Sequence, residues 1–178
     1  MDILIREASV ADAAQLLEIY APYVEQTAIT FEYDVPSLSE FQDRIRETGR
    51  SFPYLVASRG DRIVGYAYAH SFYGRAAYRR SVETSIYLDM KERRHGVGRR
   101  LYAALEGQLR ERGFLNMNAC IAYQEEPDAH LPLDSVRFHE AMGFVRCAHF
   151  HKCGYKFGRW YDVVWAEKMI GPHEPSSK

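Results

Sequence analysis

The strongest constraint on this chain lies near its middle, where the residue period changes twice. Ser81–Leu88 (SVETSIYL) alternates polar and apolar residues as a strand does. A glycine-containing loop follows, and residues 97–112 return to helical period through Leu101, Ala104, Leu105 and Leu109, ending at Gly113. Residues 115–122 then read as a strand again. Strand, helix and strand in that order make a βαβ unit, in which a crossover helix returns the chain to a parallel partner. The fold has to be assembled around that pair.

The flanking segments fill in the rest. Residues 3–6 read as a short strand, and Ser9 or Asp12 offers an N-cap for a helix carrying Ala13, Leu16, Leu17, Ile19 and Tyr20. TAITFEYDVP, residues 27–36, is an irregular aromatic loop, after which Ser37 caps a helix with Leu38, Phe41 and Ile45 that stops near Gly49. Residues 54–58 and 63–70 form a hairpin whose turn requires a positive φ at Gly60. Past the central unit come a short helix at 134–142, closed by Gly143, and two final strands at 144–151 and 160–169. This predicts an α+β class with a mixed, mostly antiparallel sheet. One domain is expected over residues 1–170, with 171–178 as a flexible tail.

Composition narrows the function classes. With 178 residues, 47% of them hydrophobic, the chain can bury a core without disulfides or a structural metal. Lys and Arg number 23 against 24 Asp and Glu, so there is no global basic field to draw the protein to nucleic acid or to a membrane, and neither is expected as a partner. The first residues do not form a signal peptide, nowhere do eighteen apolar residues run together, and the three cysteines form no C-x-x-C pair. A cytoplasmic location is expected, with Cys120, flanked by apolar residues, in the core.

The residues Arg93-Arg94-His95-Gly96-Val97-Gly98-Arg99-Arg100 lie between the central strand and its helix. Glycines there let backbone N–H groups converge at a helix N-terminus, which holds a pyrophosphate without a metal, and Arg94 and Arg99 add charge. A bare G-x-G also describes an ordinary glycine turn with a solvated basic face. In this context, however, R-R-H-G-V-G after a β-strand resembles the Arg/Gln-x-x-Gly-x-Gly/Ala loop of the GNAT superfamily of N-acetyltransferases. AYRRSVETSIYL, SVRFHEAMGF and GYKFGRWYDVVW resemble its phosphinothricin acetyltransferase branch, and the likeness covers nearly the whole chain.

The resemblance implies the GNAT-type α/β/α sandwich, with a V-shaped splay between the fourth and fifth strands, and acetyl-CoA as co-substrate without a metal. It places Ile86, Tyr87 and Leu88 along the pantetheine arm, with a backbone N–H near Tyr87 or Leu88 steadying the oxyanion. Arg94, His95, Gly96, Val97, Gly98 and Arg99 surround the pyrophosphate. Glu83 matches the acidic residue of the branch's strand; an amine acceptor must lose a proton before attacking the thioester, so Glu83 is the general base of a direct transfer, or else pairs with Arg79 or Arg80. His139 matches the histidine of R-L-H-E-x-L-G-Y and serves as acid, base or packing residue. Arg75 and Tyr78 match the arginine and tyrosine that precede the acidic strand of the branch, with Arg75 forking a substrate carboxylate and Tyr78 walling the side-chain pocket together with Phe31; an exposed loop is the other reading of Arg75 and Tyr78.

The acceptor implied is a small amino-acid-like amine of the phosphinothricin or methionine sulfoximine type. An acyl-CoA sensor or interaction module without turnover, or a peptide or protein N-acetyltransferase, are the alternatives. One departure stands out: residues 122–135 replace a short Asn-x-x-Ser turn, losing the asparagine but keeping Asp134-Ser135 as a helix cap, with Ser135 toward the cofactor. Cys147, His149, His151 and Cys153 fall at every second position, so one strand face would carry all four. Side chains two apart stand about 6–7 Å apart, so at most two could join ligands from elsewhere, and no metal is expected. Tyr155, Phe157, Trp160 and Tyr161 either close the core or form the surface of a homodimer.

Overall fold

The computed structural model of the protein describes residues 2–92 and 95–174. Among these residues, seven strands form one sheet in the order β1-β2-β3-β4-β5-β7-β6. They are β1 (Leu4–Glu7), β2 (Tyr54–Arg59), β3 (Arg62–Ser71), β4 (Ser81–Leu88), β5 (Asn116–Tyr123), β6 (Val145–Lys156) and β7 (Arg159–Met169). Every neighbouring pair is antiparallel except β4 and β5, the parallel pair that the central crossover requires.

Among the described residues, four α-helices cover the two faces. α1 (Ala13–Gln26) and α2 (Leu38–Gly49) bury Leu16, Tyr20, Phe41 and Ile45 against Val56, Ile63 and Tyr66. α3 (Val97–Glu111) and α4 (Asp134–Ala141) bury Leu101, Leu105, Leu109 and Val136 against Ala67, Val82, Met117 and Val164 on the opposite side. The result is the expected α/β/α sandwich. Local signals hold where they were legible: the Ser37 hydroxyl accepts from the Glu40 N–H at 3.2 Å while the Glu40 carboxylate accepts from the Ser37 N–H at 2.7 Å, and Gly60 turns the β2–β3 hairpin at φ +63°.

The β4–β5 pairing is short. It joins Ser81 to Asn116, Val82 to Met117 and Glu83 to Asn118, while both strands run on for five more residues. The sheet therefore forks just past Glu83, and the residues of β4 beyond it have no β5 partner among the described residues. This is the splay expected between the fourth and fifth strands.

The inserted loop is docked into the fold. His130 accepts from the Ala28 N–H through its carbonyl at 2.9 Å, donates through Nδ1 to the Gln26 carbonyl at 2.9 Å, and stacks on Phe157 with ring centres 3.9 Å apart. Lys156, 4% exposed, donates to the carbonyls of Val24, Thr27 and Thr30 at 2.7, 2.9 and 2.9 Å, so all three ammonium protons are used. These bonds anchor the aromatic loop after α1 to the C-terminal hairpin.

Candidate active site

A groove of about 380 Å³ lies at the fork, lined by Tyr23, Ile29, Ile86, Leu88, Ser135 and Phe138 among others. It shares Leu88 and Phe138 with a 200 Å³ recess floored by Gly96, Val97, Gly98 and Arg99. Gly96 caps α3 at φ +75°, a conformation that disfavours residues with a Cβ. Gly98 acts through closeness: a Cβ there would stand 3.2 Å from both Leu88 Cδ1 and Phe138 Cε2, so glycine is what lets α3 start tight against the end of β4. His95 and Arg99 are exposed beside the recess, with His95 Nδ1 3.5 Å from the Glu92 carboxylate. Arg94, expected on the pyrophosphate, lies outside the described residues.

Alternation along β4 separates its side chains. Val82, Thr84, Ile86 and Leu88 turn toward α3 and α4, and Glu83, Ser85 and Tyr87 toward α1 and α2. On the second face Glu83 is half-buried, its carboxylate 3.8 Å from His70 Nε2, directly across the β3–β4 ladder. Desolvation raises its pKa, and His70 partly offsets the rise. The expected alternative partners, Arg79 and Arg80, are not its ion-pair partners. Next to it a 200 Å³ cavity is walled by Tyr20, Tyr54, Tyr66, Tyr68, Arg44 and His70 among others. Burial raises the hydroxyl pKa of Tyr54, Tyr66 and Tyr68 above the ordinary value, so the wall stays neutral.

On the first face a buried chain of polar groups crosses from α4 to the sheet. His139, 4% exposed, places Nδ1 2.7 Å from the Ser135 carbonyl, which can only accept; that nitrogen therefore carries the proton. Nε2 is then an acceptor, 3.0 Å from the Tyr102 hydroxyl, which stands 2.8 Å from Thr84 Oγ1. Burial lowers the pKa of His139, keeping it neutral. The ring also lines a 50 Å³ notch between the parted strands, together with Thr84, Tyr87, Cys120 and Ser135.

Other expected residues are dispersed or redirected. The Tyr87 ring packs among Tyr20, Tyr23 and Tyr66, leaving only its backbone for the groove edge. Phe31 packs with Tyr161, Ala28 and Leu131, whereas Tyr78 contacts Phe72 and Tyr73, and Arg75 is exposed; among the described residues no hydrogen bond or ion pair joins these three to Glu83. α4 is not capped by Asp134-Ser135: its N-cap is Leu133, with no side-chain cap, because the helix begins one residue earlier than that cap requires, and Ser135 faces the groove from the first turn. Cys120 is exposed and not core, since it projects into the cleft left by the fork. Its thiol is pushed up to about 12, first by desolvation and then by Glu83, which makes it a poor nucleophile at neutral pH. The even Cys/His stripe is broken by register shifts in β6 between Arg146 and Ala148 and between Phe150 and Gly154. Of the C-terminal aromatics Tyr161 is fully buried, while Tyr155, Phe157 and Trp160 are exposed.

Sequence reasoning did not single out Tyr23, Ile29, Arg137, Phe138 or Tyr102. Phe138 adjoins His139 in a quoted motif and was the most accessible of these; Tyr102 reads as an ordinary apolar-face helix residue until its partners are known.

A forked mixed sheet with a glycine-led helix on one side of the fork and a groove across it defines the acyl-CoA N-acyltransferase class. Residues 5–165 match the family model described as an acetyltransferase (GNAT) domain, and the chain belongs to that family. It is 32% identical over 172 residues to the phosphinothricin N-acetyltransferase of Streptomyces viridochromogenes, covering 96% of this chain and 90% of that protein. It is 30% identical to the L-methionine sulfoximine/L-methionine sulfone acetyltransferase of Pseudomonas aeruginosa, over 97% of each. The crystal structure of a phosphinothricin acetyltransferase from Sinorhizobium meliloti in complex with acetyl-CoA superposes with a TM-score of 0.87 at 34% identity, covering 96% of this chain and 90% of that one.

Proposed function

We propose that the protein transfers the acetyl group of acetyl-CoA directly to the amino group of a small amino-acid-like acceptor of the phosphinothricin or methionine sulfoximine type. The observation that carries this reading is Glu83: a half-buried carboxylate with a raised pKa, at the last paired position before the strands part. The acceptor class is supported by the names of the relatives above.

In this reading the pantetheine arm follows the free edge of β4 past Ile86 and Leu88, and its pyrophosphate meets the N–H groups at the start of α3, with Ser135 at the groove wall. Arg94 and Arg99 supply positive charge, and His95 adjoins the pyrophosphate. The acceptor approaches from the α1/α2 face, with Phe31, Arg75 and Tyr78 forming the outer wall and Arg75 receiving its carboxylate. Glu83 takes the ammonium proton directly or through water, and a raised pKa makes it a better-matched base near neutral pH. The amine attacks the thioester carbonyl, a β4 backbone N–H near Tyr87 or Leu88 stabilises the oxyanion, and the C–S bond breaks to release the thiolate, which takes the proton left on the new amide nitrogen directly or through water. Since both nitrogens of His139 are committed to Ser135 and Tyr102, its proposed role is to hold the fork rather than to donate a proton.

The protein is further proposed to be one catalytic domain over residues 1–170 with a tail at 171–178, working in the cytoplasm as a homodimer. Exposed Phe150, Tyr155 and Trp160 on the β6–β7 hairpin support the dimer. Three free cysteines support a reducing compartment. No helix among the described residues is long and apolar enough to cross a membrane.

The test is thiol release from acetyl-CoA across amino acids, amino-acid analogues, polyamines and short peptides. Saturable turnover on an amino-acid analogue, lost in Glu83→Gln, supports the reading. Tight CoA binding without turnover on any acceptor moves it to a sensor, and turnover confined to peptides moves it to a peptide N-acetyltransferase.

A further inference from the structure

Away from the fork, β6 and β7 bring together three side chains to which the transfer reaction assigns no part. His149, His151 and Asp162 each present one ligand atom, and all of these atoms lie within 4.8 Å of one another. His149 Nε2 is 2.7 Å from Asp162 Oδ2, and the rings of His149 and His151 stack with centres 4.1 Å apart. The geometry points to a binding site for a borderline divalent cation such as Zn²⁺, held by two imidazoles and one carboxylate with one position left to water.

Three features prepare the site. The β6 irregularity between Phe150 and Gly154 puts Lys152 at φ +49° and aims its N–H at Asp162 Oδ1, at 2.8 Å. One carboxylate oxygen is thus fixed from behind while the other faces His149, the arrangement in which an outer hydrogen bond orients a metal ligand. The Tyr123 ring, 5.3 Å from that of His149 and nearly perpendicular to it, limits how that imidazole can turn. Two His and one carboxylate are the donor set that Zn²⁺ and its neighbours take with an open coordination position. Ligand atoms on a tetrahedral ion with bonds of about 2.0–2.1 Å stand about 3.3 Å apart, so closing the site needs shifts of about an ångström, which fall to the two exposed imidazoles.

The even spacing of Cys147, His149, His151 and Cys153 suggested a four-ligand face that strand geometry forbids. The structure instead supplies two of them with a third ligand from the next strand. Cys147 contacts the Trp165 carbonyl and Cys153 the Phe150 carbonyl through their thiols, and neither joins the cluster. On binding, the ion takes the place of the hydrogen between His149 Nε2 and Asp162 Oδ2, and the neutral imidazole carries its proton on Nδ1 instead.

The experiment is calorimetric titration of ZnCl₂ into the full chain, freed of any histidine tag and of metal, followed by Co²⁺ absorption spectroscopy. One ion per chain with micromolar affinity, weakened at least about tenfold in both His151→Asn and Asp162→Asn and unchanged in Cys147→Ser and Glu83→Gln, is the expected result. The Asn variants change exposed or half-exposed side chains, and circular dichroism checks that they fold. No binding, or binding equally strong in the two Asn variants, overturns the site. Because the readout is binding, its failure leaves the acetyl-transfer reading untouched.

Discussion

The eight residues of β4 are divided between two faces that serve opposite ends. Toward α3 and α4, Thr84, whose hydroxyl also lies 3.2 Å from the Asn118 carbonyl, joins a chain through Tyr102 and His139 to the Ser135 carbonyl, in which each polar group has a partner. Toward α1 and α2, the one ion-pair partner of Glu83 among the described residues is His70 at 3.8 Å, beside a wall of tyrosines. A satisfied buried network specifies geometry, whereas an under-satisfied carboxylate stores a proton affinity that chemistry can use. The contrast assigns shape to one face and reactivity to the other.

The contrast can be broken by substitution, and the largest effect is expected at Glu83. Glu83→Gln should lower kcat by about 100-fold or more, the contribution of a positioned general base, in steady-state assays of the preferred acceptor. The same variant should be more stable than the parent at neutral pH. A carboxylate whose folded pKa lies above its unfolded value contributes stability below the unfolded pKa and loses it as pH rises through the folded one, so at pH 7 the charge is a burden that Gln removes. A variant both inactive and less stable would remove the distinction between the faces.

Tyr102→Phe probes the other side. It leaves His139 Nε2 and Thr84 Oγ1 without their shared partner and should cost about 1–3 kcal/mol in denaturant unfolding, while the acid limb of the pH–rate profile stays where it was. A shifted limb would mean that the chain takes part in proton transfer. Gly98→Ala comes next: its methyl would press on Leu88 and Phe138 at 3.2 Å, raising KM for acetyl-CoA by about tenfold, equivalent to about 1.4 kcal/mol, with kcat for the bound complex little changed.

The smallest effect is expected at His70. Its charge interaction lowers the Glu83 pKa against desolvation, so His70→Gln should move the acid limb of kcat/KM to higher pH and reduce activity a few-fold below neutrality, with little loss above it. An unmoved limb would separate Glu83 from the titration that controls the rate.

Much of this was legible in advance, for identifiable reasons. Ser37, Gly60 and Gly143 mark ends and turns through interactions within a few residues of themselves, and the period of Ser81–Leu88 places Glu83 and Thr84 on opposite faces whatever lies against them. Cys120 was misplaced for the converse reason: apolar neighbours in sequence describe a strand, but the cleft beside it exists only because β5 leaves β4 after Asn118. The break in the β6 stripe was equally hidden, since alternation was extrapolated across bulges that pairing with β7 imposes.

The sequence by itself determined the order of elements, the parallel pair demanded by the crossover, the glycine-led start of α3 and the family likeness, because each rests on residues close together in the chain. Only the tertiary structure decided where the fork opens, that Glu83 meets His70, that His139 is held through Tyr102, and that Asp162 joins His149 and His151. Those outcomes depend on strand register and on helix docking between residues 13 to 37 positions apart, and the free energies that set them belong to the packed molecule as a whole and not to any local pattern.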